Sequence, residues 1–123
     1  MDDWKLGVVE SRFAQLIWDN APIRSGDLVK LCGKELGWKK STTYTVLKKL
    51  CDKGIFRNEN GMVTVVLSHQ QVLSRQSRQF VEETFSGSLP AFLAAFSGQD
   101  GLSQQEVDKI QDMLRQWEGG KQP

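Results

Sequence analysis

Between residues 6 and 19 the apolar positions Val9, Phe13, Leu16 and Ile17 recur at helical spacing. A first core helix is predicted there, with Trp18 closing its last turn before Asn20-Ala21-Pro22 stops it. A second stripe follows in Leu28, Leu31, Cys32 and Leu36, with Ser25 suited to cap the helix, Asp27 to its positive end, and Gly37 after it. Only Gly37-Trp38-Lys39-Lys40 separates this helix from a third stripe, Thr43, Val46, Leu47 and Leu50, for which Ser41 is the expected cap and Gly54 the expected stop. Two helices joined so closely have the connection of a helix-turn-helix. The period then changes. Residues 55–58 and 62–67 are β-rich runs joined through Glu59-Asn60-Gly61, and Asn-Gly supplies the positive φ angles of a tight hairpin. Three helices followed by a hairpin is the winged-helix order, with Asn60-Gly61 at the wing tip.

Beyond Leu67 the pattern is helical again. Residues 69–85 carry Val72, Leu73, Phe80, Val81 and Phe85, and Ser86-Gly87 ends that helix. Ser88 caps a short segment with Pro90 in its first turn, which displays Leu89, Phe92, Leu93 and Phe96. Ser103-Gln104-Gln105-Glu106 is a capping box that opens a last helix with Val107, Ile110, Leu114 and Trp117 on one stripe. Three short helices cover one another only in part. Either this tail folds back on the wing domain or a second copy covers it. Small DNA readers gain specificity from paired half-sites, which favours the dimer. Its interface is then drawn from Phe80, Phe85, Leu89, Phe92, Leu93, Phe96, Val107, Ile110, Leu114 and Trp117. The terminal Gly-Gly-Lys-Gln-Pro is expected to fray.

With the third helix's apolar stripe facing inward, Thr42, Tyr44, Thr45, Lys48 and Lys49 are left on the other side. Lys39, Lys40 and Ser41 stand at the front of this helix and Lys53 near its end. Hydroxyls at the front of a helix reach phosphates or base edges, and ammonium groups replace counterions along a phosphate backbone. Arg57 at the wing base and Asn60 at its tip complete the candidate DNA-binding set. A solvated lysine-rich face is the plainer alternative.

The bulk charge of +1 conceals a split between two halves. Residues 1–67 hold 11 Lys/Arg against 8 Asp/Glu, a balance of +3, and residues 68–123 hold 5 against 7, a balance of −2. Between Lys39 and Arg57 six basic residues face one acid, Asp52, so a polyanion would be met there. No apolar run is long enough to span a bilayer and Met-Asp-Asp-Trp-Lys-Leu-Gly lacks the order of a signal peptide, so a cytoplasmic protein is expected. Cys32 and Cys51 read as buried free thiols. With His69 as the single histidine and no CxxC, neither a metal site nor a cofactor is expected. Enzymatic activity is the weakest reading: no catalytic residues are identified, because His69 has no acid-base partner in a recognisable motif and capping or exposure explains it better.

Four markers in order resemble the penicillinase and methicillin-resistance repressor family, the BlaI/MecI-type winged-helix regulators: Leu16-Ile17-Trp18 ending the first helix, STTYTVLKKLCDKG at residues 41–54, FSGSL at 85–89 and LSQQE at 102–106. The resemblance covers nearly the whole chain. It implies a mainly α, α+β winged-helix protein, with a winged-helix DNA-binding domain at 1–68 and a helical dimerisation domain at 69–123. The implied function is a sequence-specific transcriptional repressor, a homodimer on palindromic double-stranded operator DNA, controlling β-lactamase-type resistance or related stress genes. The competing reading is a winged-helix protein-interaction module without DNA binding, but such a surface should show exposed apolar anchors, and this face shows only Tyr44.

The departures from the family pattern are specific. Relatives commonly carry aromatics in the second wing strand, where this chain has Val63, Val65, Val66 and Leu67. Relatives released by a sensor protease are cut at an Asn-Phe bond; the matching place here is Ala95-Phe96, which speaks against that protease as a partner. Copper-responsive relatives carry paired cysteines near the C-terminus, and none follows Cys51.

Overall fold

The computed structural model describes residues 3–118; the Gly-Gly-Lys-Gln-Pro tail lies outside the described residues. The chain runs α1 (Val8–Asn20), β1 (Ile23–Arg24), α2 (Ser25–Leu36), α3 (Lys40–Asp52), β2 (Phe56–Glu59), β3 (Met62–Val65), α4 (His69–Phe85), α5 (Leu89–Ser97) and α6 (Gln104–Gln116). It is an α+β winged helix followed by further helices. Contacts group it into two compact units, Met1–Phe80 and Val81–Pro123.

The first unit is built around one cluster of buried side chains. Phe13, Ala14 and Ile17 come from α1, Leu28 and Cys32 from α2, and Thr43, Leu47 and Leu50 from α3. The segment after α3 adds Ile55 and Phe56, β3 adds Val63, and α4 adds Val72. Val9, expected on the buried stripe, is exposed with Val8 in the opening turn of α1, and Ala14 takes the inner position instead. Trp18 makes a corner of this core. Its Nε1 donates to the Leu67 carbonyl at 3.0 Å, and its ring lies 5.4 Å from that of Phe56 and stacks on His69 at 4.5 Å.

The sheet is antiparallel, in the order β1-β3-β2. The wing pairs Phe56 with Val65 and Glu59 with Met62, and the connecting Asn60 and Gly61 have φ of 52° and 75°, the conformation that Asn-Gly accepts with little strain. The third strand was not foreseen: Ile23 and Arg24 pair with Val63 and Met62. That pairing moves the start of α2. Arg24 occupies the N-cap position, while Ser25, expected to cap, is the first helical residue.

The start of α3 also differs from expectation. Lys39 stands at the N-cap and Ser41 lies inside the first turn. The buried Thr43 explains the earlier start, because a hydroxyl without access to water needs an acceptor. With the helix begun at Lys40, Thr43 Oγ1 donates to the Lys39 carbonyl at 3.1 Å. Gly54, at φ 84°, ends the helix as expected.

In the second unit, Ser88 Oγ accepts from the Ala91 N–H, and Ser103 and Glu106 make the reciprocal capping box. The Phe85 ring meets that of Phe92 edge-on at 5.6 Å, and Phe92 lies 5.9 Å from Phe96. From Val81 to Glu118 no described residue is fully buried.

The core assignment can be checked by urea unfolding. Phe13→Ala should cost ~3–5 kcal/mol, because it opens a cavity in a site with no exposure, whereas Val8→Ala, at 80% exposure, should stay within ~0.5 kcal/mol.

Candidate nucleic-acid interface

Burial of Thr43, Leu47 and Leu50 decides which side of α3 meets solvent. Eight of the ten proposed DNA-binding residues lie on this helix or the residue before it, and seven of them, Lys39, Lys40, Ser41, Thr42, Thr45, Lys48 and Lys49, are exposed. The front of α3 has no side-chain cap and no acid in its first turn. Its leading N–H groups and the positive end of its dipole are therefore unopposed.

The positive charge is graded along the helix. Among the described residues, Lys39 and Lys40 have no ion-pair partner. Farther along, Lys48 pairs with Asp52 at 3.0 Å, Lys49 pairs with Glu10 of α1, and Lys53 donates to the Asp3 carbonyl. Thr45 Oγ1 donates back to the Ser41 carbonyl at 2.9 Å, which uses its proton and not its lone pairs.

Tyr44 is placed differently from its neighbours. It is half-buried and its hydroxyl donates to Ser25 Oγ at 3.1 Å. The Ser25 N–H in turn donates to the Gly61 carbonyl at 2.8 Å. This relay ties the wing turn, where Asn60 is exposed, to α2 and α3. Arg57 is exposed on β2 and pairs with Glu59 at 3.0 Å. Between the wing turn and α2 stands Arg24, exposed and without an ion-pair partner among the described residues. Sequence reasoning passed over it, because a two-residue strand has no periodicity to announce it.

The ten proposed pairing residues are half-buried or exposed in the single chain. Phe80 belongs to the first unit and the others to the second. Phe96 is 63% exposed, Leu89 55% and Leu114 54%. An apolar cavity of about 290 Å³ in the second unit is lined chiefly by Phe92, Leu93, Phe96, Leu102, Ile110 and Met113.

Of the two free thiols, Cys32 is buried and Cys51 half-buried, and burial pushes both up from the ordinary thiol range, which favours the inert protonated form. His69 stacks on Trp18 beside the start of α4, which Ser68 caps through Gln71. Among the described residues no group of three metal-ligating side chains comes together, and no helix is long and apolar enough to cross a membrane.

Known proteins match the chain over nearly this whole extent. A family model described as penicillinase repressor matches residues 6–116. The penicillinase repressor of Bacillus licheniformis is 23% identical over 116 residues, which is 91% of this chain and 91% of the relative. The methicillin resistance regulatory protein MecI of Staphylococcus aureus strain Mu50 is 19% identical over 115 residues, 90% of this chain and 94% of the relative.

The ion pair between α1 and α3 predicts an acid dependence. The Lys49 ammonium, and then the Gly7 N–H, hold the Glu10 carboxyl below its ordinary value of 4.5. A carboxyl depressed in the folded state stabilises above the unfolded value and loses that contribution as pH falls through the folded one. Unfolding temperatures of wild type and Glu10→Gln should therefore differ most above the ordinary value of 4.5 and converge as pH falls below it through the depressed folded value.

Proposed function

The chain belongs to the penicillinase repressor family, and on that premise we propose that it is a homodimeric repressor that binds double-stranded operator DNA through α3 and the wing. Residues 1–68 do the reading and residues 69–123 the pairing. The observation that supports this reading is the front of α3, where Lys39 and Lys40, without an ion-pair partner among the described residues, precede the exposed hydroxyls of Ser41 and Thr42 at an uncapped helix start. A duplex supplies regularly spaced phosphates for such a surface, and groups at the front of a helix in the major groove reach base edges.

The roles then divide. Thr42 and Thr45 meet phosphates or base edges; Lys39, Lys40 and Lys48 neutralise phosphates, with Arg57, Asn60 and the additional Arg24 flanking from the wing side. Tyr44 acts from behind the face, through Ser25, by holding the wing turn to α3. A protein-binding surface would instead present apolar anchors, and the exposed face of α3 carries hydroxyl and ammonium groups.

Pairing is supported by the apolar residues of α5 and α6. A unit with no fully buried residue among those described, and with Leu89, Phe96 and Leu114 more than half exposed, gains most by covering that surface. A second copy covers it symmetrically and sets two reading helices on one duplex, which raises the effective concentration of the second.

Two experiments test these roles. On a duplex selected by the wild-type protein from a random-sequence pool, Lys39→Ala with Lys40→Ala should weaken binding to all sequences alike and lower the salt slope by about two units; an unchanged slope contradicts the assignment. In sedimentation at micromolar concentration, Phe92→Ala with Leu114→Ala should give monomer, since a central truncation costs ~2 kcal/mol or more. A wholly dimeric double variant would place the interface elsewhere.

A further inference from the structure

The lysines at the rear of α3 have surroundings unlike those at its front. Lys49 meets Glu10, whose side chain is 21% exposed against 58% for the lysine, and both Glu10 oxygens are used: Oε2 on Lys49 and Oε1 on the Gly7 N–H at 3.1 Å. Lys53 donates to the backbone carbonyl of Asp3.

The segment these lysines hold is itself anchored. Asp3 Oδ1 accepts from the Lys5 N–H at 2.9 Å and from Gln79 Nε2 at 3.2 Å. The backbone of Trp4 is bracketed by two glutamines of α4: its N–H donates to Gln79 Oε1 at 2.8 Å and its carbonyl accepts from Gln76 Nε2 at 3.0 Å. Arg75 stands over the Trp4 ring, 4.8 Å from its centroid. The acceptors that receive Lys49 and Lys53 are thus fixed to α1 and α4.

We infer that Lys49 and Lys53 are positioning residues, clamping the rear of α3 to α1 and the N-terminal segment so that its front is presented to DNA at a set angle. The inference rests on the repressor reading and narrows it: Lys49, a DNA-binding candidate on sequence grounds, does not hold phosphate. Turning Lys49 toward a phosphate would strip Glu10 of its partner and leave a carboxylate near the polyanion. Lys48 faces no such penalty. Its bridge to Asp52 joins neighbouring turns of one helix with both ends well exposed, the kind of pair that a phosphate displaces at little cost.

Reversing the pair separates the two roles. Wild type, Glu10→Lys, Lys49→Glu and the double swap would be titrated, as full chains, with duplexes that the wild type selects from a random-sequence pool, at several salt concentrations. A clamp predicts that each single variant loses about tenfold in affinity, the range spanned by couplings between contacting residues, and that the swap recovers most of it with the wild-type salt slope. A phosphate contact predicts a swap as weak as Lys49→Glu and a slope lower by about one unit, which would overturn the inference. If the reversed variants do not fold, Lys49→Met keeps the stem and removes the charge: an unchanged slope supports the clamp, and a slope lower by about one unit overturns it. Failure of the wild type to select any duplex is a different result; it removes the repressor reading, and the inference falls with it.

Discussion

Burial of one stripe of α3 is the constraint on which the rest depends. Leu47 and Leu50 lie in one cluster with Phe13, Ile17 and Leu28, and Thr43 is buried beside them with its hydroxyl satisfied inside the helix. A helix fixed on one side has no freedom on the other, so the hydroxyls and ammonium groups of Thr42, Thr45 and Lys48 face solvent as a consequence of packing. Removing the buried stripe would cost more than stability, because the direction of the exposed face would be lost with it.

Charge adds a direction along that helix. At the front, Lys39 and Lys40 and the uncapped N–H groups repel one another and invite an anion. Toward the rear, Asp52, Glu10 and the Asp3 carbonyl hold the remaining lysines. On the proposed reading, such a helix reads end-on: the front turn would meet the duplex while the rear turn is held against its own protein. On the same reading, the exposed apolar surface of α5 and α6 meets a second requirement of a small reader, as the place a second copy would cover.

Most of the fold was legible in the sequence because its signals are local. The stripes of α1, α2 and α3, the Asn60-Gly61 turn and the Ser103 capping box each depend on residues within a few positions of one another. What escaped depends on distant partners. The strand Ile23–Arg24 exists only because Val63 and Met62 come alongside, and Arg24 entered the candidate surface with it. The caps of α2 and α3 shifted for the same reason, as pairing with β3 and the needs of a buried threonine overrode local preference. Lys49 and Lys53 were legible by type and position; their partners Glu10 and Asp3 lie about 40 to 50 residues away in sequence and could not be read from spacing.

The central claim is that the front of α3 is the surface that meets DNA. Lysine acetylation rates, read residue by residue by mass spectrometry with and without a wild-type-selected duplex, test it most directly. Lys39 and Lys40 should be strongly protected by the duplex while Lys109 of α6 keeps its free-protein rate. Protection absent from Lys39 and Lys40, or spread evenly over all three, would contradict it.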